Sequence, residues 1–169
     1  MSLRFKTIML VICFILFTAS VVVAADYDYK ELIPVLPDSI NEMSKTGEPD
    51  GANMETSGQH WSVVNQRYGN GSNHINFFVV VGSSAPEIQK FHNLQQLNVE
   101  TEESVTRTTE IAGKKTLLNL KKDGSRGTLA IAVQNNALAV FETSHVENEE
   151  ELLSLADDIS IEEIEDVIK

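Results

Sequence analysis

Residues 128–143 read Thr-Leu-Ala-Ile-Ala-Val-Gln-Asn-Asn-Ala-Leu-Ala-Val-Phe-Glu-Thr. The apolar runs on either side of Asn135 and Asn136 predict two strands, over residues 128–133 and 138–143. Asparagine tolerates the positive φ that a two-residue hairpin turn requires, so the two asparagines predict a tight turn. The segment is therefore expected to form an antiparallel hairpin.

The turn also predicts which side chains share a face of this hairpin. It sets Val133 opposite Leu138 on one face and Ala132 opposite Ala139 on the other. The second face then carries mostly alanine, and small side chains allow a helix to approach closely. We expect a helix from the C-terminal segment to pack on this alanine face.

The rest of the chain shows further strand and helix patterns. Residues 61–68 and 75–81 predict a hairpin, and the second of these strands is apolar on both faces, which is typical of a central strand. Ser84, with Pro86 in the first turn, predicts a helix that extends to about Leu97. More strands are predicted over residues 104–111 and 115–121, and helices are predicted to begin after Asn148 and Ser160.

These elements predict an α+β fold, in which a mainly antiparallel sheet of about six strands is covered by helices in the order ββαββββα. Asp28 is expected to cap a short helical turn. Residues 45–59 are rich in Gly, Pro, Asp, Asn and Ser and predict a loop. No long linker interrupts the sequence, so residues 26–169 are expected to form a single domain.

The first 25 residues have the pattern of an export signal. Arg4 and Lys6 precede an apolar stretch over residues 8–23, and the small residues Ala24 and Ala25 follow it. This pattern predicts cleavage near Ala24 and Ala25 and an exported domain, either periplasmic or secreted. The alternative is an uncleaved anchor over residues 7–25 with the domain still outside.

Composition excludes several classes of partner and chemistry. The formal net charge is −12, so the surface should repel nucleic acid and anionic lipid heads. Nucleic acid is therefore not predicted as a partner, and membrane contact is expected only through the N-terminal segment if it is not cleaved. Cys13 is the single cysteine and lies in the apolar stretch, which excludes disulfides and thiolate sites in residues 26–169.

The order of elements resembles the PsbP-like sandwich, a fold of extrinsic photosystem subunits and of bacterial envelope proteins. The opening Leu-Ile-Pro-Val-Leu-Pro-Asp-Ser-Ile-Asn at 32–41, the strand over residues 61–68 and the acidic tail rich in Leu and Ile carry the resemblance. They are also similar to small uncharacterised bacterial exported proteins. The resemblance implies a domain that binds or assists rather than catalyses, and it brings no family site residues with it.

Few residues form a candidate site. The four histidines are His60, His74, His92 and His145. The first two could be neighbours across the hairpin predicted over residues 61–68 and 75–81. No HExxH motif and no GxSxG turn occurs, so no metal ligand, cofactor or catalytic residue is predicted.

Trp61 is expected to belong to the core. An alternative is a rim position in a binding groove, with Tyr68 and Phe141 as neighbours.

These observations favour a non-enzymatic exported envelope domain that binds a protein partner or a small ligand. The alternative is a small hydrolase or a metal-dependent enzyme whose site is assembled from distant residues. A groove that converges on a histidine and an acid would favour the enzyme.

Overall fold

The structure is a computed structural model and describes residues 27–169. The predicted signal segment, including Ala24 and Ala25, lies outside the described residues. Ten strands join one sheet, and every strand pairing in residues 27–169 is antiparallel. The strands are β1 (Ser39–Ile40), β2 (Met43–Lys45), β3 (Asp50–Thr56), β4 (Gln59–Gly69), β5 (His74–Val81), β6 (Asn98–Glu100), β7 (Ser104–Ile111), β8 (Lys114–Lys121), β9 (Gly127–Gln134) and β10 (Ala137–Thr143).

The predicted α+β class with an antiparallel sheet is confirmed, but the predicted count of six strands is wrong. The order across the sheet is β1-β2-β4-β5-β10-β9-β8-β7-β6, and β3 pairs with the first half of β4. The segment predicted to be a loop, residues 45–59, contains β3 and the end of β2. Its hairpin turn is Ser57-Gly58, where φ is +52° and +75°. The polar composition of this edge strand concealed it, because an edge strand needs little apolar surface.

Within the described part of the chain, three α-helices and two 3-10 helices accompany the sheet. Asn148 and Ser160 cap helices as predicted, because their side chains accept hydrogen bonds from the backbone N–H of Glu151 and Glu163. Asp28 likewise accepts from the N–H of Lys30. The helices are α1 (Pro86–Asn93), α2 (Glu149–Ser154), α3 (Ile161–Val167), η1 (Tyr29–Val35) and η2 (Leu155–Asp158).

The helix predicted from Ser84 to Leu97 is shorter at both ends. Its N-cap residue is Ala85, which makes no side-chain capping bond, and the helix ends at Asn93. The hydroxyl of Ser84 instead donates to the backbone oxygen of His60 over 2.8 Å. Ser84 therefore attaches the start of α1 to β4 rather than capping the helix.

The sheet buries apolar side chains on both faces, in two separate clusters. On the first face, η1, α2, η2 and α3 cover a large cluster that includes Phe77, Leu118 and Ile131. On the second face, Ile88 and Phe91 of α1 contribute to a smaller cluster. The strand positions in that smaller cluster are Val80, Ala130, Leu138 and Val140.

The predicted register of the β9–β10 hairpin is wrong by one residue beyond the turn. Gln134 pairs with Ala137 across the predicted Asn135-Asn136 turn, but an irregularity follows, and Leu138 pairs with Ala132 instead of Val133. Ala139 then lies opposite Ile131, on the face of the large cluster. The shifted register places a small residue opposite a large one in the pairs Leu138–Ala132 and Ala139–Ile131. Side-chain volume is thereby distributed more evenly on each face of the hairpin.

A helix does pack on the alanines of β9, but it is α1 and not a C-terminal helix. Ala130 is buried in the cluster that contains Ala85, Ile88 and Phe91, and Ala132 packs at its border. The C-terminal helices lie on the first face, where the longer side chains of the hairpin fill the space between layers.

We expect Ala130→Leu to lower the free energy of unfolding by roughly 1–3 kcal/mol, because the added atoms must displace α1. Ala52→Leu is the matched control: Ala52 is an exposed strand alanine of β3, and its change should stay within about 0.5 kcal/mol. Urea denaturation followed by circular dichroism measures both values. Equal losses in the two variants would contradict the close packing of α1 on β9.

Candidate functional site

The predicted groove of Trp61, Tyr68 and Phe141 does not form. Tyr68 and Phe141 are 0% exposed and belong to the large cluster on the first face. Trp61 is partly buried and packs against the smaller cluster on the second face. Because residues alternate between faces along β4, Trp61 and Tyr68 point to opposite sides of the sheet.

Tyr68 and Trp61 have structural contacts that explain their positions. The hydroxyl of Tyr68 donates to the backbone oxygen of Pro37 over 2.7 Å, which joins β4 to the segment after η1. Burial raises the pKa of Tyr68 above its ordinary value, and the nearby carboxylate of Asp38 adds to this. Trp61 lies beside Gly82, where an added Cβ would be 2.7 Å from the Cβ of Trp61. The glycine therefore allows the end of β5 to pass close to Trp61.

The predicted proximity of His60 and His74 is also wrong. His74 pairs with Gly69 at one end of β4, whereas His60 pairs with Glu55 near the other end. Nε2 of His92 lies 2.6 Å from the backbone oxygen of Asn135, next to the turn of the β9–β10 hairpin. Within residues 27–169, no group of three or more His, Cys, Asp or Glu side chains is placed to hold a metal ion.

A pocket of about 360 Å³ lies where the described chain begins. The hydroxyl of Ser62 donates to the backbone oxygen of Tyr27 and lies 2.9 Å from Oδ1 of Asn53. Nδ2 of Asn53 donates to Asp28 over 3.1 Å. The residues that line the pocket are Tyr27, Asp28, Asn53, Met54, Glu55, His60, Trp61 and Ser62.

This pocket has the features of a structural junction. The N–H of Lys30, followed by the amide of Asn53, lowers the pKa of Asp28, so the carboxylate stays ionised as a helix cap. Nε2 of His60 is 3.9 Å from Oε1 of Glu55, while the hydroxyl of Ser62 donates to a backbone carbonyl. The network attaches the start of the described chain to β3 and β4.

A second arrangement of polar side chains crosses the second face of the sheet. Arg67 of β4 pairs with Asn76 of β5, and Asn76 pairs with Glu142 of β10. The pairing continues from Glu142 to Thr128 of β9, then to Asn119 of β8 and to Thr106 of β7. We call these six residues the polar row: Arg67, Asn76, Glu142, Thr128, Asn119 and Thr106.

The polar row lies beyond the part of the second face that α1 covers. Within residues 27–169, the other helices pack on the first face, and α1 packs on positions such as Val80 and Leu138. Arg67 is exposed and the other five members of the row are partly exposed. The side chain of Glu142, in the central strand β10, is still 38% exposed. The row is therefore accessible from solvent.

Side-chain contacts along the row hold its members in place. Nε of Arg67 donates to Oδ1 of Asn76 over 3.2 Å, and Nδ2 of Asn119 donates to Oγ1 of Thr106 over 2.6 Å. Nη2 of Arg126 lies 3.8 Å from Oε2 of Glu142. These contacts leave hydrogen-bonding groups available for a ligand. A side-chain amide has two N–H donors and a carbonyl acceptor, and a guanidinium has five N–H donors.

An apolar row borders the polar row on the side of α1; its inner members Val140 and Ala130 are buried in the cluster with α1, and its outer members Phe78 and Leu117 are partly exposed. Its members each lie two residues from the polar-row residue of the same strand, on the same face, and pair with one another across the strands: Phe78, Val140, Ala130 and Leu117. Phe78 is partly exposed, next to Asn76 on the same face of β5. The second face therefore offers hydrogen-bonding groups beside an accessible aromatic ring. This arrangement suits the binding of a ligand that is both polar and apolar.

Sequence reasoning missed the polar row because its members are far apart in the chain. Each strand contributes a single member, which either stands between apolar residues, as Asn76 and Asn119 do, or is one of several polar residues, as in β4 and β7. The row becomes visible only when the register of five strand pairs is known. An Asn-Phe succession such as Asn76-Phe77-Phe78 in an apolar strand was the one signal available.

Comparisons with known proteins give no match. No family model, no curated protein and no solved structure matches the sequence. Among the helices of residues 27–169, none is both long and apolar enough to cross a membrane.

We expect Tyr68→Phe to lower the free energy of unfolding by about 1 kcal/mol at neutral pH, because the hydrogen bond to Pro37 is lost. The raised pKa means that the folded protein keeps the phenol neutral at a pH where the unfolded chain ionises. The stability advantage of the wild type is therefore full below about pH 10 and declines as the pH rises further. Urea denaturation of both proteins at about pH 8 and about pH 11 measures this decline, and a constant difference would contradict it.

Proposed function

We propose that this chain is a non-enzymatic binding domain that acts outside the cytoplasm and holds its ligand on the polar row. The observation that carries the proposal is the continuous register of six polar side chains on a part of the sheet that no described helix covers. Polar residues in central strands such as β10 and β9 lower the apolar area available for packing. Hydrogen bonds from these residues to a ligand would explain why polar residues occupy these positions.

Binding is favoured over catalysis by the state of the side chains that could react. Ser62 is the serine closest in sequence to His60, and its hydroxyl donates to the backbone oxygen of Tyr27. A serine nucleophile instead needs a general base, most often a histidine, within hydrogen-bonding reach. The polar row supplies amides, hydroxyls, one carboxylate and one guanidinium, which are groups that orient a ligand.

Export is the second part of the proposal. The basic start, the apolar stretch and the small residues Ala24 and Ala25 support a signal that is cleaved in the envelope, with residues 7–25 as an anchor in the alternative. The acidic composition suits an exported soluble surface. A PsbP-like sandwich remains part of the proposal, and its support is an antiparallel sheet with helices on both faces.

We expect the full chain, produced in a bacterial host, to reach the envelope and to lose 24 or 25 residues. Leu16→Arg should keep the product in the cytoplasm at full mass, because a charge interrupts the apolar stretch. Cell fractionation with intact mass measurement distinguishes these results. A full-length product outside the cytoplasm would support the anchor, and a full-length wild-type product in the cytoplasm would contradict export.

The binding proposal is tested by nuclear magnetic resonance on the isotope-labelled exported protein. Adding the non-protein fraction of an envelope extract should shift the amide signals of β5, β10, β9 and β8 around the polar row. Asn119→Ala should reduce these shifts strongly. Asn98→Ala is the matched control, because Asn98 is an exposed strand asparagine on the opposite face. Shifts confined to the pocket around Ser62, or no shifts at all, would contradict the assignment of the row.

A further inference from the structure

We infer that the ligand of the polar row is a linear neutral oligosaccharide; this inference rests on the proposed function of the same surface. The argument uses the hydrogen-bonding chemistry of the row, the adjacent apolar row, the length of the surface and its charge. Each of these properties follows from the strand register and the contacts of the described residues.

The hydrogen-bonding groups of the row match those of a sugar. A sugar hydroxyl both donates and accepts hydrogen bonds, so it needs partners of both kinds at short intervals. Asn76 and Asn119 each provide a carbonyl oxygen and an amide nitrogen, and the hydroxyl of Thr128 can take either role. Glu142 accepts hydrogen bonds and Arg67 donates them, and bonds to charged groups are the stronger ones.

The apolar row complements the other part of a sugar. A pyranose ring has C–H groups on its faces, and these pack on aromatic or aliphatic surface. Phe78 is partly exposed beside Asn76, and Leu117 holds the corresponding position beside Asn119. A sugar ring bound over β5 could therefore direct hydroxyls to Asn76 while its C–H face contacts Phe78.

The length of the row indicates a chain rather than a single sugar. Neighbouring strands lie about 4.8 Å apart, so six strands extend over about 24 Å. The row also presents new polar groups at every strand, at regular intervals. A ligand with a regular repeat of hydroxyls along one direction meets these groups in succession.

Charge and geometry disfavour other polymers. The whole chain has a net charge of −12, so an anionic polymer is repelled at long range. The two cationic side chains at the row are already engaged, Arg67 with Asn76 and Arg126 with Glu142. An extended peptide binds through its main chain at the edge of a sheet. The row lies instead on a face whose central strands β5, β10, β9 and β8 are already paired on both sides.

The test is a titration of the isotope-labelled protein with three named probes. These are a linear β-linked glucose hexasaccharide, the same hexasaccharide built from N-acetylglucosamine, and a uronate hexasaccharide of similar length. One of the neutral probes should shift the amide signals around the polar row, and the corresponding disaccharide should bind at least about tenfold more weakly, because it reaches fewer strands. Stronger binding of the uronate probe would overturn the choice of a neutral ligand.

Variants connect the binding to the named side chains. Asn119→Ala and Glu142→Gln should each weaken the neutral hexasaccharide by about tenfold, as expected for one lost hydrogen bond of the stronger kind. Phe78→Leu keeps an apolar side chain in place and should also weaken binding, which avoids the loss of folding that Phe78→Ala could cause. Asn98→Ala should leave the affinity unchanged.

Two failures remain distinguishable. If the envelope extract shifts the row and neither neutral hexasaccharide does, the oligosaccharide inference is wrong and the binding function stands. If neither the extract nor any saccharide shifts the row, both are wrong. Shifts by a hexasaccharide that persist in Asn119→Ala and Glu142→Gln would place the saccharide elsewhere and overturn the inference.

Discussion

The central strands β5, β10 and β9 must be covered on both faces, and the rest of the structure depends on this requirement. β5 buries Phe77 and Val79 on the first face and Val80 on the second. A single layer of helices cannot satisfy both faces, so the chain places η1, α2, η2 and α3 on one side and α1 on the other. The irregularity in the β9–β10 hairpin serves the same requirement, because it distributes small and large side chains over both layers.

The polar row follows from the small size of α1. This helix has eight residues and covers the second face over Val80, Leu138 and Val140. Farther along the same strands, no helix of residues 27–169 packs on the second face, and apolar side chains there would be exposed to water. On this face the strands therefore carry polar side chains where no helix packs and apolar side chains under α1, as β5 does with Asn76 and Val80. The boundary between the two regions is the apolar row, in which Phe78 is partly exposed.

The sequence predicted the features that depend on local chemistry. The central strand over residues 75–81, the Asn135-Asn136 turn and the caps at Asn148 and Ser160 all have signals within a few residues, and each is confirmed. The missed features depend on partners that are distant in the chain. β3 is an edge strand without an apolar pattern, and the shifted pairing of Leu138 reflects packing against two layers at once.

In the candidate site, the contrast between features with a local sequence signal and features that depend on distant residues is stronger. Their aromatic side chains make Trp61, Tyr68 and Phe141 an alternative groove from sequence, but side-chain alternation along β4 places Trp61 on one face and Tyr68 on the other. Apart from the succession Asn76-Phe77-Phe78 in β5, the polar row has no local signal, since its six members lie on six strands. Its prediction would have required the strand order and the correct register of the β9–β10 hairpin.

The polar row and the start of the described chain lie on opposite faces of the sheet. Tyr27 packs against the large cluster on the first face and is bonded to Ser62 of β4. The row crosses β4 at Arg67, five residues and about 17 Å farther along, on the second face. The described chain therefore begins on the face opposite to the row and beside the other half of β4. The surface that we propose for binding is thus separated from the point where the described chain begins.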